Sequence, residues 1–251
     1  MKGKSSLRRI ILATVVAMFV LGTAMNVSAF SFSPMTVSIG PSGADAVITY
    51  KVTNESDKQT AVSIRVKTRV IDAAGNETNE PADKLFLVFP SQVVLKPNSS
   101  QNVKVQYRGN PVIPAELAFR VIAEQLPVDF SKATSSGVNI LLTYVAALYV
   151  TPKNAAPKVE LTDAIGVQKD GKQGLQITIK NSGTAHALLS NTKITINPGA
   201  GAASIEFAGD AVSAIEGQNL LALSERVIFV PWDGAITGKR YTGSILADIE
   251  S

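Results

Sequence analysis

From Phe30 onward, apolar and polar residues alternate with a period of two, the pattern of strands with one dry face and one wet face. Ala61 to Ile71 places Val62, Ile64, Val66, Thr68 and Val70 on one face and Arg65, Lys67 and Arg69 on the other. Val103, Val105 and Tyr107 alternate with Lys104, Gln106 and Arg108 in the same way. Ala46–Asn54 is rich in β-branched and aromatic residues and runs into the turn formers Asn54-Glu55-Ser56-Asp57. Leu85–Phe89 and Val93–Leu95 predict short strands broken by Pro90, Asp72–Asn76 predicts a turn, and Lys96-Pro97-Asn98-Ser99 reads as a β-turn. With Phe119–Leu126 and Val138–Val150 the count before Pro152 reaches about seven strands, and turn signals at roughly ten-residue spacing indicate a β-sandwich.

Thr151-Pro152-Lys153-Asn154-Ala155-Ala156-Pro157, with two prolines among small and polar residues, predicts an extended link. Beyond it strands are expected at Leu175–Ile179, Lys193–Ile196, Arg226–Val230 and Tyr241–Asp248, with long loops at Pro198–Ala203 and Gly209–Gly217. The fold class that follows is all-β, two β-sandwich domains in tandem: residues 30–152 and residues 153–251.

The first 29 residues are of another kind. Lys2, Lys4, Arg8 and Arg9 precede the apolar run Ile10–Met25, and Val27-Ser28-Ala29 supplies small residues at the positions a signal peptidase reads. The run is shorter than the roughly 20 residues that cross a bilayer, so residues 1–29 are expected to be a signal peptide cleaved after Ala29. The mature chain is then exported, with no membrane insertion. Those four bases account for the whole net charge of +4, leaving 20 basic and 20 acidic residues, and the electrostatic case for nucleic acid vanishes.

Composition narrows the chemistry further. With no cysteine, disulfides, thiolate metal sites and cysteine nucleophiles are excluded, and His186 is the one imidazole. Gly234-Ala-Ile-Thr-Gly238-Lys239-Arg240 has three residues between its glycines instead of the four of a phosphate loop, carries Arg240 where that loop needs Ser or Thr, and is expected to be a hairpin turn. Ser190 and Lys193 have a spacing used by some acyl-transfer enzymes, but that chemistry needs one helical face and the surroundings are strand-like. No acidic cluster able to hold a metal is visible, and neither a cofactor nor an enzymatic activity is expected.

Gly137 to Val150 is the segment that points to a partner. At about 13 residues it exceeds the usual 5–6 of a strand, with Val138, Ile140, Leu142, Tyr144, Ala146 and Leu148 on one side. Such a run suits either a central strand buried on both faces or a strand that projects beyond its own sheet and offers an apolar side to another protein.

Several segments resemble periplasmic pilus (fimbrial) assembly chaperones of the chaperone–usher pathway. Tyr50-Lys51-Val52-Thr53-Asn54 is similar to the family's second strand, and Phe89–Val105 to its proline–valine–leucine–proline–glycine–glutamine block, with Asn98 where glycine is usual. Glu116-x-x-Phe119 followed by Glu124-Gln125-Leu126-Pro127 resembles the sixth strand, Leu148-Tyr149-Val150-Thr151-Pro152 the end of the seventh, and Gly174–Thr184 a strand and turn of the second domain.

The resemblance implies two immunoglobulin-like domains in a boomerang arrangement that bind nascent pilus subunits, complete each subunit's sandwich with the seventh strand, and deliver it to an outer-membrane usher. The side chains implied to enter the subunit are Val138, Ile140, Leu142, Tyr144 and Ala146. An exported structural β-sandwich protein, a pilus subunit or adhesin, is the alternative, and whether the free chaperone self-associates is left open. Three departures mark a divergent member. Phe30–Tyr50 contains no basic residue, and Ala147 stands where the seventh strand usually carries lysine, so the family's usual grip on the subunit carboxylate is missing. Lys153 and Arg120 are the candidates to replace it. Thr151 stands where an arginine often precedes the proline, which puts the interdomain ion pair through Glu116 in question.

Overall fold

Alternating burial along the strands produces two separate interiors. The computed structural model describes residues 30–127, 140–199 and 201–251, so the expected leader, its cleavage site and Val138 lie outside the described residues. The first half runs β1 (Phe30–Ser33), β2 (Thr36–Ile39), β3 (Val47–Asn54), β4 (Thr60–Thr68), β5 (Val70–Ile71), β6 (Glu77–Thr78), β7 (Phe86–Phe89), β8 (Gln92–Leu95), β9 (Ser100–Tyr107), β10 (Leu117–Gln125) and β11 (Thr143–Val150). One sheet has the order β1-β3-β9-β7 and the facing sheet β2-β11-β10-β4-β8, while β5 and β6 form a small hairpin. Between the sheets lie Tyr50, Val52, Val62, Val103, Val105, Val121 and Leu148, among others, all fully buried.

The second half runs β12 (Val159–Lys169), β13 (Lys172–Asn181), β14 (Ala187–Asn197), β15 (Ile205–Ala208), β16 (Asn219–Leu220), β17 (Glu225–Pro231) and β18 (Thr242–Glu250). One sheet is β12-β13-β17; in the other β14 is central, flanked by β15, β16 and β18. Its interior is built on Leu175, Ile177, Ile179, Leu189, Ile194 and Ile196. No strand occurs from Thr151 to Lys158. Ser190 and Lys193 lie on a strand, and among the described residues no helix is long and apolar enough to cross a membrane.

Two sequence expectations change. Of the long strand expected from Gly137, the described residues Ile140–Leu142 are not part of a ladder and β11 starts at Thr143, because Ile140–Leu142 lack ladder partners beyond the contacts of Leu142 with Gln125. β12 was not expected at all: Gly166 interrupts its pattern. A Cβ at Gly166 would lie 2.1 Å from the Ile236 carbonyl oxygen, so glycine is required where the 236–239 turn packs against this strand. That turn is the Gly234–Gly238 segment, held by Gly166 N–H donating to Lys239 O at 2.8 Å and Gly238 N–H to Gly166 O at 2.8 Å.

Each sandwich contains one fully buried asparagine at the end of a strand. Asn54 Nδ2 donates to the carbonyls of Lys58, Leu95 and Lys96, and its Oδ1 accepts from Ser56 N–H at 3.0 Å. Asn181 Nδ2 donates to the carbonyls of Ala185, Leu220 and Leu221, and its Oδ1 accepts from Gly183 N–H at 3.0 Å and Lys158 N–H at 3.1 Å. Each amide satisfies buried backbone groups where strands give way to loops and no ladder can serve them.

The two halves meet in a mixed interface. Ala147 and Tyr149 pack on Leu221, and Tyr149 stacks on His186 with ring centroids 3.8 Å apart. The Tyr149 hydroxyl accepts from Arg69 Nη1 at 2.9 Å and from Asn219 Nδ2 at 2.8 Å. Glu116 Oε1 accepts from His186 N–H at 3.0 Å and lies 2.7 Å from His186 Nδ1, while Thr151 Oγ1 donates to Oε2 at 2.8 Å. Glu116 therefore does cross the interface, with His186 as its partner. On the other flank Glu77 is shared by Arg120, through bonds of 2.7 and 2.6 Å, and Arg69 at 3.1 Å.

Asn181→Ala is expected to lower the unfolding free energy by about 3 kcal/mol, since it strands several buried carbonyls and amides. Asn102→Ala, at an exposed position on β9, should change it by less than about 0.5 kcal/mol; urea titration of both variants checks the contrast. Arg120, with Arg69, holds the Glu77 carboxyl down at about 2. Because the folded value is depressed, the stabilising contribution is complete above the ordinary glutamate range and is lost as pH falls toward 2. The stability difference between the wild type and Glu77→Gln should therefore be flat from neutral pH to about 5 and shrink below it, as read from denaturation midpoints over that range.

Candidate functional site: the open edge of β11

Within its sheet β11 has two edges, and they are treated differently. β10 pairs with it along its full length, from Glu124 opposite Thr143 to Leu117 opposite Val150. On the far edge β2 runs parallel to it but covers only Ala147 to Val150. The cause lies in the first strand, which is divided: β1 joins β3 in one sheet, and after Pro34 the chain crosses to the other sheet as β2. The first backbone bond on that edge is from Ala147 N–H to Met35 O at 2.8 Å. Among the described residues, Thr143–Ala146 and the preceding Ile140–Leu142 have no strand beside them there. Unpaired backbone groups on an exposed edge are a template for a further strand.

Side chains around this edge divide by position. Ile140, Leu141 and Val145 are exposed at 64%, 48% and 44%, an unusual concentration of large aliphatics for a solvated surface. Leu142 is half-buried and packs against the first interior. Tyr144 is also half-buried; its ring meets Phe30 edge to face at 4.9 Å and its hydroxyl donates to Phe30 O at 2.7 Å. Ala146 is fully buried within the same sandwich.

Of the five residues named from the sequence, then, Ile140 stands out in solvent, Leu142 and Tyr144 line the margin of the protein's own interior, and Ala146 lies inside it. Val138 falls outside the described residues. Tyr144 and Ala146 share a face because alternate residues of a strand do; their different exposure reflects where the facing sheet ends. Val145 and Leu141, on the opposite face, were not singled out from the sequence, and their exposure depends on the same uncovered edge.

The two candidate replacements for a carboxylate grip differ. Arg120 is engaged with Glu77 on the hairpin side, whereas Lys153 is exposed in the segment after β11. His186, the one imidazole, is buried against Tyr149 and paired with Glu116. Seventy residues separate the pair, and no local pattern could have joined them. Among the described residues no group of three His, Asp or Glu side chains is placed to hold a metal.

Comparison with known proteins agrees with this geometry. Residues 33–156 match the family model described as pili and flagellar-assembly chaperone, PapD N-terminal domain. Similar solved structures include the class 5 fimbriae chaperone CfaA, at 15% identity and a TM-score of 0.55, with 89% of this chain and 99% of that one covered. The CsuC–CsuE chaperone–tip adhesion subunit pre-assembly complex from archaic chaperone–usher Csu pili of Acinetobacter baumannii matches at 17% identity and a TM-score of 0.57, covering 88% of this chain and 98% of that one. The complex of Salmonella enterica SafA pilin with the SafB chaperone matches at 14% identity and 0.52, covering 89% and 98%. No curated protein matches at the level of sequence. These structures share the two-sandwich fold, and the family model covers the half that carries the open edge. The chain belongs to the pili and flagellar-assembly chaperone family, as a divergent member.

Proposed function

We propose that this protein is a periplasmic chaperone that binds nascent pilus subunits by adding β11, with the residues that lead into it, to the open side of a subunit's unfinished sandwich. The observation that carries this reading is the uncovered far edge of β11 beside the exposed side chains of Ile140, Leu141 and Val145. An edge of this kind supplies backbone pairing, which gives affinity, and alternate side chains, which give fit. Transfer of one large aliphatic from water into a partner's groove contributes about 1.5–3 kcal/mol. In this reading Val138, Ile140 and Leu142 enter the subunit, while Tyr144 and Ala146 continue the same face into the chaperone's own interior and fix the register.

The solved structures of CsuC with CsuE and SafB with SafA, titled as a chaperone with a tip adhesion subunit and a chaperone with a pilin, support the class of partner. Delivery to an outer-membrane usher and export through the basic-apolar leader complete the reading. The work is binding rather than catalysis; His186, the lone imidazole, is enclosed by Glu116 and Tyr149.

The test is an affinity capture from the native host's periplasm with tagged protein. Wild type is expected to recover a small β-rich subunit. Ile140→Asp should recover at least about tenfold less, as the loss of more than about 1.4 kcal/mol of binding requires, with an unchanged melting midpoint because Ile140 is exposed. Equal recovery by wild type and Ile140→Asp, or no subunit with wild type, would overturn the reading. Leu142→Asp is the less clean probe, since Leu142 also packs on the interior.

A further inference from the structure

On the face where the β5–β6 hairpin meets the second sandwich there is a cavity of about 610 Å³, walled by Gly75 of the hairpin turn, Lys169 and Lys172 of the β12–β13 turn, and Arg226 and Phe229 of β17. It is distinct from the β11 edge, and the chaperone reading gives it no part. Arg226 is its unusual member. The residue is 4% exposed, its Nη1 donates to the Asp72 carbonyl oxygen, and its Nε has no hydrogen-bond partner. Among the described residues Arg226 takes part in no ion pair.

The neighbouring carboxylates are engaged elsewhere. Asp72 accepts from the Asn76 backbone and side-chain amides at 2.8 Å each, and Glu77 is divided between Arg69 and Arg120. Burial lowers the Arg226 pKa, and the positive charge of Arg69 pushes it further down against the opposing pull of Asp72. Lys169 and Lys172 add two cations at the rim against the single Asp170. A buried guanidinium with no ion-pair partner in contact and with an unused donor is unfavourable. An oxyanion with two oxygens on one centre relieves both costs, because a guanidinium edge matches carboxylate and phosphate geometry with two parallel N–H bonds.

We propose that this cavity is an oxyanion-binding site, taking a carboxylate or phosphate group against Arg226 with Lys169 and Lys172 at its mouth. Reaching Nε requires the Asp72–Asn76 turn above it to shift. That turn closes a hairpin of only two residue pairs, and Gly75, with φ of +96°, lets its backbone lie close over the guanidinium. The bound anion then ties the hairpin of the first sandwich to β17 of the second, where Val227 N–H already donates to Ala73 O at 2.8 Å.

The test is a titration of the purified protein with sodium phosphate and, separately, with sodium acetate, at ionic strength held constant with sodium chloride. The readouts are the Arg226 Nε–Hε resonance, assigned by its loss in Arg226→Lys, and the melting midpoint. A saturable downfield movement in the millimolar range, with a midpoint raised by a few degrees relative to chloride, is expected. Saturation by acetate alone marks a carboxylate site, saturation by phosphate alone a phosphate site, and saturation by both a site for either. Lys169→Ala combined with Lys172→Ala should weaken the binding about threefold or more, as the loss of two rim charges implies, without lowering the midpoint in chloride. Arg226→Gln should abolish it, and if that variant fails to fold, the lysine variant and the wild-type resonance still decide. No saturable movement with either anion, or equal binding by the lysine variant and wild type, would overturn the proposal.

Discussion

A β-strand has two edges, and an edge with no neighbouring strand leaves its backbone groups open to another chain. In this protein β11 is covered on one edge by β10 throughout and on the other by β2 for four residues. That incomplete pairing follows from the division of the first strand between two sheets. β1 is needed opposite β3, where Phe30 and Phe32 bury against Tyr50 and Tyr144, so only the chain after Pro34 remains for β11. The opening in the fold is thus the consequence of a well-packed corner beside it rather than of weak structure.

The same strand also connects the two halves. Its inward residues Ala146, Leu148 and Val150 anchor it in the first interior, while Ala147 and Tyr149 face Leu221 and His186 of the second sandwich. A load placed on the open part of β11 is therefore transmitted to a segment fixed on both faces. Around it the polar groups of the interface are grouped in two sets: Glu116, His186 and Thr151 on one flank, and Glu77, Arg69 and Arg120 on the other, with the Tyr149 hydroxyl between Arg69 and Asn219.

The crossing contact of Glu116 is built from a threonine and a histidine. Thr151 cannot form an ion pair, yet Glu116 is not abandoned: one oxygen accepts from the threonine hydroxyl, and the other accepts from the His186 backbone N–H and lies 2.7 Å from the ring Nδ1. Hydrogen bonds to a buried carboxylate stabilise it as an adjacent cation does, provided its lone pairs are met. The arrangement preserves a crossing contact while changing the chemistry that makes it.

Much of the fold was legible in the chain because period-two alternation reports burial directly: Val62, Ile64 and Val66 are inside, as are Val103, Val105 and Tyr107, and both turn-forming asparagines mark real strand ends. β12 was hidden because close backbone approach demanded Gly166, which reads locally as a break. The apolar stripe of the Gly137–Val150 segment was visible in the sequence, but not how far along it the protein's own interior reaches. That limit is set by where β1 and β2 end, which is a property of residues more than a hundred positions away. Local sequence determines which face of a strand is dry; only the assembled sheets decide which edge is left open, because edge pairing is made between distant segments.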